Sequence, residues 1–293
     1  MKKVIASLLL LSLLLVSCQQ RDLKGTEMST TDTAGNAEVN GGTAILMSNL
    51  ADEKSKAEVK AVLSKVLNPE SVERFMENVA DYNDTIENRS LNEGFVLAVQ
   101  PEYDIEGINE LWISKKENFA GTNCRINTFM LLNKNLKIDV ETSDDSFLFA
   151  DKDAILEKSL FDEAEMEEFK KLFSKVKTEN TVDVRVHGNK MEEHLSGVTF
   201  PEKVKMVSVV LHDNLDGDFL FIGHTGVLVE DGGKYLFLEK LTFDEPYQAI
   251  FFDSAHACHV YLFEKYKHYH DETTAKPFIM ENGTFIDLPA YYK

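Results

Sequence analysis

The 293-residue chain carries 31 Lys and Arg against 50 Asp and Glu, a formal charge of -19, with 43% hydrophobic residues and only 6 Pro. That composition excludes disorder over most of the chain, and the length allows a sizeable core in one large domain or two small ones. An acidic surface repels phosphate backbones and no basic cluster offsets it, so nucleic acid is excluded as a general partner. Three cysteines cannot make a disulfide framework.

In chain order, Met1, Lys2 and Lys3 precede an apolar run from Val4 to Val16, then Ser17 and Cys18. The run is short for a membrane span, and its basic start and small residue before the break predict a secretory signal peptide over 1–17. Leu15-Val16-Ser17-Cys18 resembles the bacterial lipobox, which implies cleavage before Cys18 and a diacylglycerol lipid, with acyl chains such as palmitate, on its thiol. Residues 18–43 are mostly Gln, Thr, Ser, Gly, Asn and Asp and predict a flexible tether. Residues 44–293 are then a single folded domain.

Residues 51–67 space Val59, Val62, Leu63 and Val66 at helical intervals. Asn68 can cap a second helix with Pro69 in its first turn and Val72, Phe75, Met76 and Val79 as its apolar stripe. Residues 162–176 place acids first and lysines last, as the helix dipole favours. Beyond residue 180 the pattern turns β-branched and near-alternating: 181–187, 204–212, 218–230 and 234–243 predict an antiparallel sheet broken by Asp-Asn-Leu-Asp-Gly and Asp-Gly-Gly turns. A last helix is predicted over 254–267, and the tail from Pro277 is irregular or adds short strands. Helices in the first half and strands in the second give an α+β fold.

Cys124 stands where the apolar pattern of Ile126, Phe129, Met130 and Leu132 predicts a helix to begin, with Thr122 or Asn123 as cap. A thiol there faces unpaired backbone N–H groups and the positive dipole end, which favours its thiolate. A buried structural cysteine is the plain alternative. His224 lies between Gly223 and Gly226 in a strand, where a cysteine nucleophile could find its base. If Gly232 and Gly233 form a two-residue turn, Glu230 pairs with Tyr235, Glu239 falls opposite Gly226 and Leu241 opposite His224. Glu239 is then diagonal to His224 on one face and could orient the imidazole, Gly226 leaving room; an exposed carboxylate paired with Lys240 or another lysine is the alternative. Two further clusters carry weaker signals: His212, Asp213, Asp216 and Asp218 read as turn chemistry, and His256 with His259 at i, i+3 lacks the partners of a zinc site. Neither a metal nor a cofactor is expected. Cys258 beside the latter pair reads as core.

GTNCRI, SVVLHD, FIGHTGVLVE and FLEKLTFDEPYQAI together resemble an uncharacterised bacterial lipoprotein family, domain of unknown function 4300, over about Asn49 to Lys267. That resemblance implies no known activity. A second, confined to two short segments, is to NlpC-type papain-fold cell-wall hydrolases, in which a Cys opens a helix, a later strand carries His-x-Gly and a third polar residue follows on the next strand. Cys124, His224 and Glu239 match those positions in that order, although the third is usually His, Asn or Gln and the segment between Cys124 and His224 is long. The resemblance implies a papain-like arrangement, with the Cys-bearing helix packed on the C-terminal antiparallel sheet.

The expectation is a lipid-anchored, exported envelope protein acting as a thiol hydrolase or transferase on amide bonds, such as those of peptidoglycan peptides. Cys124 would be the nucleophile, His224 the acid and base, Glu239 the orienting group, and Asn123 a second oxyanion donor beside the Cys124 N–H. The rival is a surface lipoprotein that binds a ligand or partner without catalysis. The two differ at Cys124: an enzyme needs it exposed and acidic, whereas a binding module can keep it buried and inert.

Overall fold

The computed structural model describes residues 38–39, 42–43, 45–98, 101–141 and 144–292. The expected signal peptide, Cys18 and most of the expected tether lie outside them; of the tether, Glu38–Val39 pairs antiparallel with Gly42–Thr43. The main sheet is built from β1 (Ile45–Ser48), β2 (Val96–Ala98), β3 (Val204–Asp213), β4 (Phe219–Asp231), β5 (Lys234–Lys240), β6 (Tyr247–Phe252), β7 (Phe278–Glu281) and β8 (Thr284–Ile286). Its order is β8-β7-β3-β4-β5-β6-β1-β2, every pairing is antiparallel, and the short strand Val176–Lys177 adds to β4. The helices are α1 (Glu53–Leu63), α2 (Pro69–Thr85), α3 (Ile105–Lys116), α4 (Cys124–Leu132), α5 (Phe149–Lys158), α6 (Glu163–Phe173), α7 (Val184–Leu195) and α8 (Ala255–Tyr266). This is an α+β fold with an antiparallel sheet.

Local chemistry explains most helix starts. Asp52 accepts from the N–H groups of Lys54 and Ser55, and Asn68 from those of Glu70 and Ser71 with Pro69 in the first turn. Asp162 and Glu165 form a reciprocal capping box at α6. The strand expected over 181–187 is a correction: Asp183 caps Arg185 N and α7 begins at Val184. The alternation of Val182, Val184 and Val186 mimics a strand over so short a window. Its continuation through Val184, His187, Gly188, Met191 and Leu195, all buried, has the helical period. The division of helices from strands is also incomplete, since β1 and β2 come from the first half and α7 and α8 from the second.

The sheet is covered on both faces. Met47, Phe237, Ile250 and Ile279 pack with Cys258, Leu262 and Phe263 of α8, while Val227, Leu238 and Tyr247 join Phe75 of α2 and Phe129 of α4 in the larger core. Side-chain alternation on β5 therefore sends Phe237 and Glu239 toward α8, and Leu238 and Lys240 toward α2 and α4. The hairpin register is the one expected, with Tyr235 opposite Glu230 and Leu238 opposite Val227. Gly232 and Gly233 both have positive φ (61° and 82°), as a tight two-residue turn requires.

Gly226 serves a different purpose from the one expected. A Cβ there would meet Phe237 Cζ at 2.4 Å and the Leu238 carbonyl oxygen at 2.5 Å, so the space belongs to that ring and to close strand approach, not to Glu239. Gly226→Ala is expected to destabilise the fold by about 1–3 kcal/mol, the usual range for overpacking; urea unfolding reads this directly, and an unchanged midpoint would contradict it.

Candidate functional site

Cys124 is the first residue of α4, and Asn123 is its cap, accepting from Ile126 N at 3.1 Å. Thr122 instead accepts from Asn127 Nδ2 at 2.9 Å and meets the Tyr247 hydroxyl at 3.2 Å. The turn is braced from below by Asp151 of α5, which is fully buried. Asp151 accepts from Asn123 Nδ2 (2.8 Å) and, in a two-pronged contact, from Arg125 Nε (2.9 Å) and Nη2 (2.7 Å). Both ends of the Asn123 amide are thus engaged, one as cap and one on Asp151. Gly121, at φ 91°, brings the approach to this turn close to Trp112 and the Phe243 carbonyl.

The imidazole comes from β4. Pairing with β3 slips between Val209 and Val210, where Gly223 is the extra residue before His224. Gly223 fits because a Cβ would meet Leu211 Cδ1 at 2.5 Å. The Cys124 thiol lies near enough to the His224 imidazole and the Thr225 backbone N–H for both to act on it electrostatically. On its other side His224 Nε2 donates to Glu239 Oε2 at 2.5 Å, which leaves Nδ1 for the thiol. Glu239 Oε1 accepts from Lys265 Nζ at 3.0 Å and from the Tyr261 hydroxyl at 3.3 Å. Tyr266 stacks on His224 with ring centroids 5.0 Å apart. Cys124, His224 and Glu239, predicted from three separated segments, form one connected line, continued by Lys265.

Burial sets the electrostatics. Desolvation alone would raise the Cys124 thiol; the imidazolium of His224, then Arg125 and the Thr225 N–H, overcome it and bring the thiol below its ordinary value. Desolvation alone would lower His224, but the thiolate and Glu239 raise it to about 9. Glu239 is pulled down to about 2 by Lys265 and His224 against its own desolvation. Each partner therefore favours the ionised form of the other, thiolate beside imidazolium. It is also enclosed: Cys124 is 4% exposed, so of the two marks separating enzyme from binding module, acidity is present and open exposure is not. Cys258 lies in the core beneath α8, and burial pushes its thiol well up.

Other candidates are occupied or apart. Lys240 does not touch Glu239; it points to the opposite face, where its ammonium donates to the carbonyls of Thr242, Phe243 and Glu245. His212 Nδ1 accepts from Ala275 N at 3.1 Å, and His259 Nε2 donates to Glu281 at 2.9 Å, while His256, His268 and His270 are exposed. Among the described residues no three His, Cys, Asp or Glu side chains converge as a metal site. Sequence reasoning missed Asp151, Lys265 and Tyr266. For Lys265 and Tyr266 the signal was present, because they lie two and one residues before the expected end of the predicted last helix; Asp151 has none, since α5 was not predicted.

Lowering of Glu239 gives stability that is complete above its ordinary value near 4.5 and is lost as pH falls toward about 2. Glu239→Gln is expected to destabilise the protein by about 3 kcal/mol at neutral pH, as breaking a buried pair does. The gap between variant and wild type should narrow as pH drops below 4.5. Denaturation at several pH values measures it, and a gap that stays constant would contradict the assignment.

No curated protein and no solved structure matches the chain. Residues 46–286 match the family described as Domain of unknown function (DUF4300), and the chain belongs to that family.

Proposed function

We propose that the protein is a thiol hydrolase or transferase acting on amide bonds. The observation that carries this reading is the continuous contact of Cys124, His224 and Glu239, with the thiol held below its ordinary acidity range. The Cys124 sulfur attacks the carbonyl carbon, and the resulting oxyanion is met by the Cys124 backbone N–H at the start of α4. As the C–N bond breaks, the His224 imidazolium protonates the leaving nitrogen, leaving a thioester. Water, or a second amine in a transfer, then gives its proton to His224 and attacks the thioester, expelling the Cys124 thiolate. Glu239 holds the imidazole in the tautomer and orientation this needs. The order helix cysteine, strand histidine, next-strand polar residue supports a papain-like arrangement. The basic start, apolar run and Cys18 support export and a lipid anchor on the envelope.

A second reading, a binding lipoprotein with an inert thiol, draws on the 4% exposure of Cys124. Alkylation separates the two. In a soluble chain lacking Cys18, iodoacetamide at about pH 6 to 7 is expected to label Cys124 much faster than Cys258, because an ordinary thiol there is only a few per cent ionised. His224→Ala should slow labelling of Cys124 by about tenfold or more. Labelling of both cysteines only after unfolding would favour the binding reading.

A further inference from the structure

A groove of about 470 Å³ opens beside the enclosed couple, with Phe147, Leu211, Phe221 and Tyr269 among its walls. Its volume lies in the range of sites that hold small ligands, roughly 300–1,000 Å³. What marks it out is the way its walls meet the candidate site from three elements. Leu211 packs on Gly223, the residue before His224. Phe147 lies under the Arg125 guanidinium at 5.1 Å and against Phe221 at 5.2 Å, and Arg125 follows Cys124 directly. Tyr269 meets Tyr266 at 5.5 Å, and Tyr266 stacks on His224. The Tyr266 ring thus separates a groove wall from the catalytic imidazole. It is the last helical residue of α8.

We propose that this groove receives an aromatic or large apolar side chain on the acyl part of the amide attacked by Cys124, with Tyr266 moving aside to admit the carbonyl. The assignment rests on the thiol-site reading above and adds its substrate class. Three aromatic rings and a leucine gain most from covering apolar surface. The polar rim argues the same way. Asp213 and Asp216 oppose an anionic side chain, and the Lys175 ammonium is held by Asp144 at 3.2 Å and lies over Phe219.

The test uses two peptidyl chloromethyl ketones, one ending in phenylalanine and one in glycine, with iodoacetamide as a reagent that needs no groove. Each reacts by forming a bond from the Cys124 sulfur to carbon as the halide leaves. In the soluble chain lacking Cys18, the phenylalanyl probe is expected to react at least about tenfold faster than the glycyl probe. Tyr269→Ala, at a residue 48% exposed, and Phe147→Ala should each cut that ratio several-fold. The ratio is internal to each variant, so a change in folding or in thiol acidity does not mimic the effect. Equal rates for the two probes, or a ratio that neither variant alters, with iodoacetamide still labelling Cys124, would overturn the groove alone. Failure of all three reagents at Cys124 would overturn the thiol reading and the groove with it.

Discussion

The structure turns on a carboxylate inside the protein. Glu239 has no solvent to stabilise its charge, so its two oxygens must be met by donors, and they are: His224 on one, Lys265 and Tyr261 on the other. Two cations drawn onto one buried acid leave a surplus of positive charge, which favours ionisation of the neighbouring Cys124 thiol. The four groups form an alternating series, Lys265, Glu239, His224, Cys124, in which each charge is adjacent to its opposite.

This series constrains the architecture on both faces of the sheet. Glu239 and Lys265 meet only because β5 turns its odd-numbered residues toward α8, while Cys124 arrives from α4, whose helix joins the larger core on the other face. His224 links the two, and the slip in pairing at Gly223 is the local irregularity that precedes it. On the α4 side Asp151 fixes the turn through Asn123 and Arg125, a buried pair with Arg125 only 13% exposed at its side chain. A positive guanidinium next to Cys124 favours its ionised form.

Much of this was legible in the sequence, and the rest was not for physical reasons. The Gly232-Gly233 turn fixes the hairpin register, and register alone places Glu239 within reach of His224, because strand side chains alternate strictly. Capping chemistry marked the start of α2 at Asn68, apolar spacing marked α1, and acids first with lysines last marked α6. Residues 181–187 misled because three valines at alternate positions satisfy a strand and a helix alike until Met191 and Leu195 are counted. Glu239's second partner was invisible to strand logic: Lys240 was the near neighbour in sequence, but the pleat sends it to the opposite face, and Lys265 reaches Glu239 from another element 26 residues away. The stacking of Tyr266 on His224 likewise depends on how α8 lies across the sheet, which no local pattern encodes.

The charge state of Cys124 is the point on which the account depends, and it can be observed without any substrate. Ultraviolet absorbance of the thiolate, followed by pH titration of the folded chain lacking Cys18 and of its Cys124→Ser counterpart, isolates Cys124, because Cys258 is common to both. The account predicts a difference signal that is already present at neutral pH and disappears only on acidification. A difference that emerges only in the alkaline range of an ordinary thiol, near 9, would contradict it.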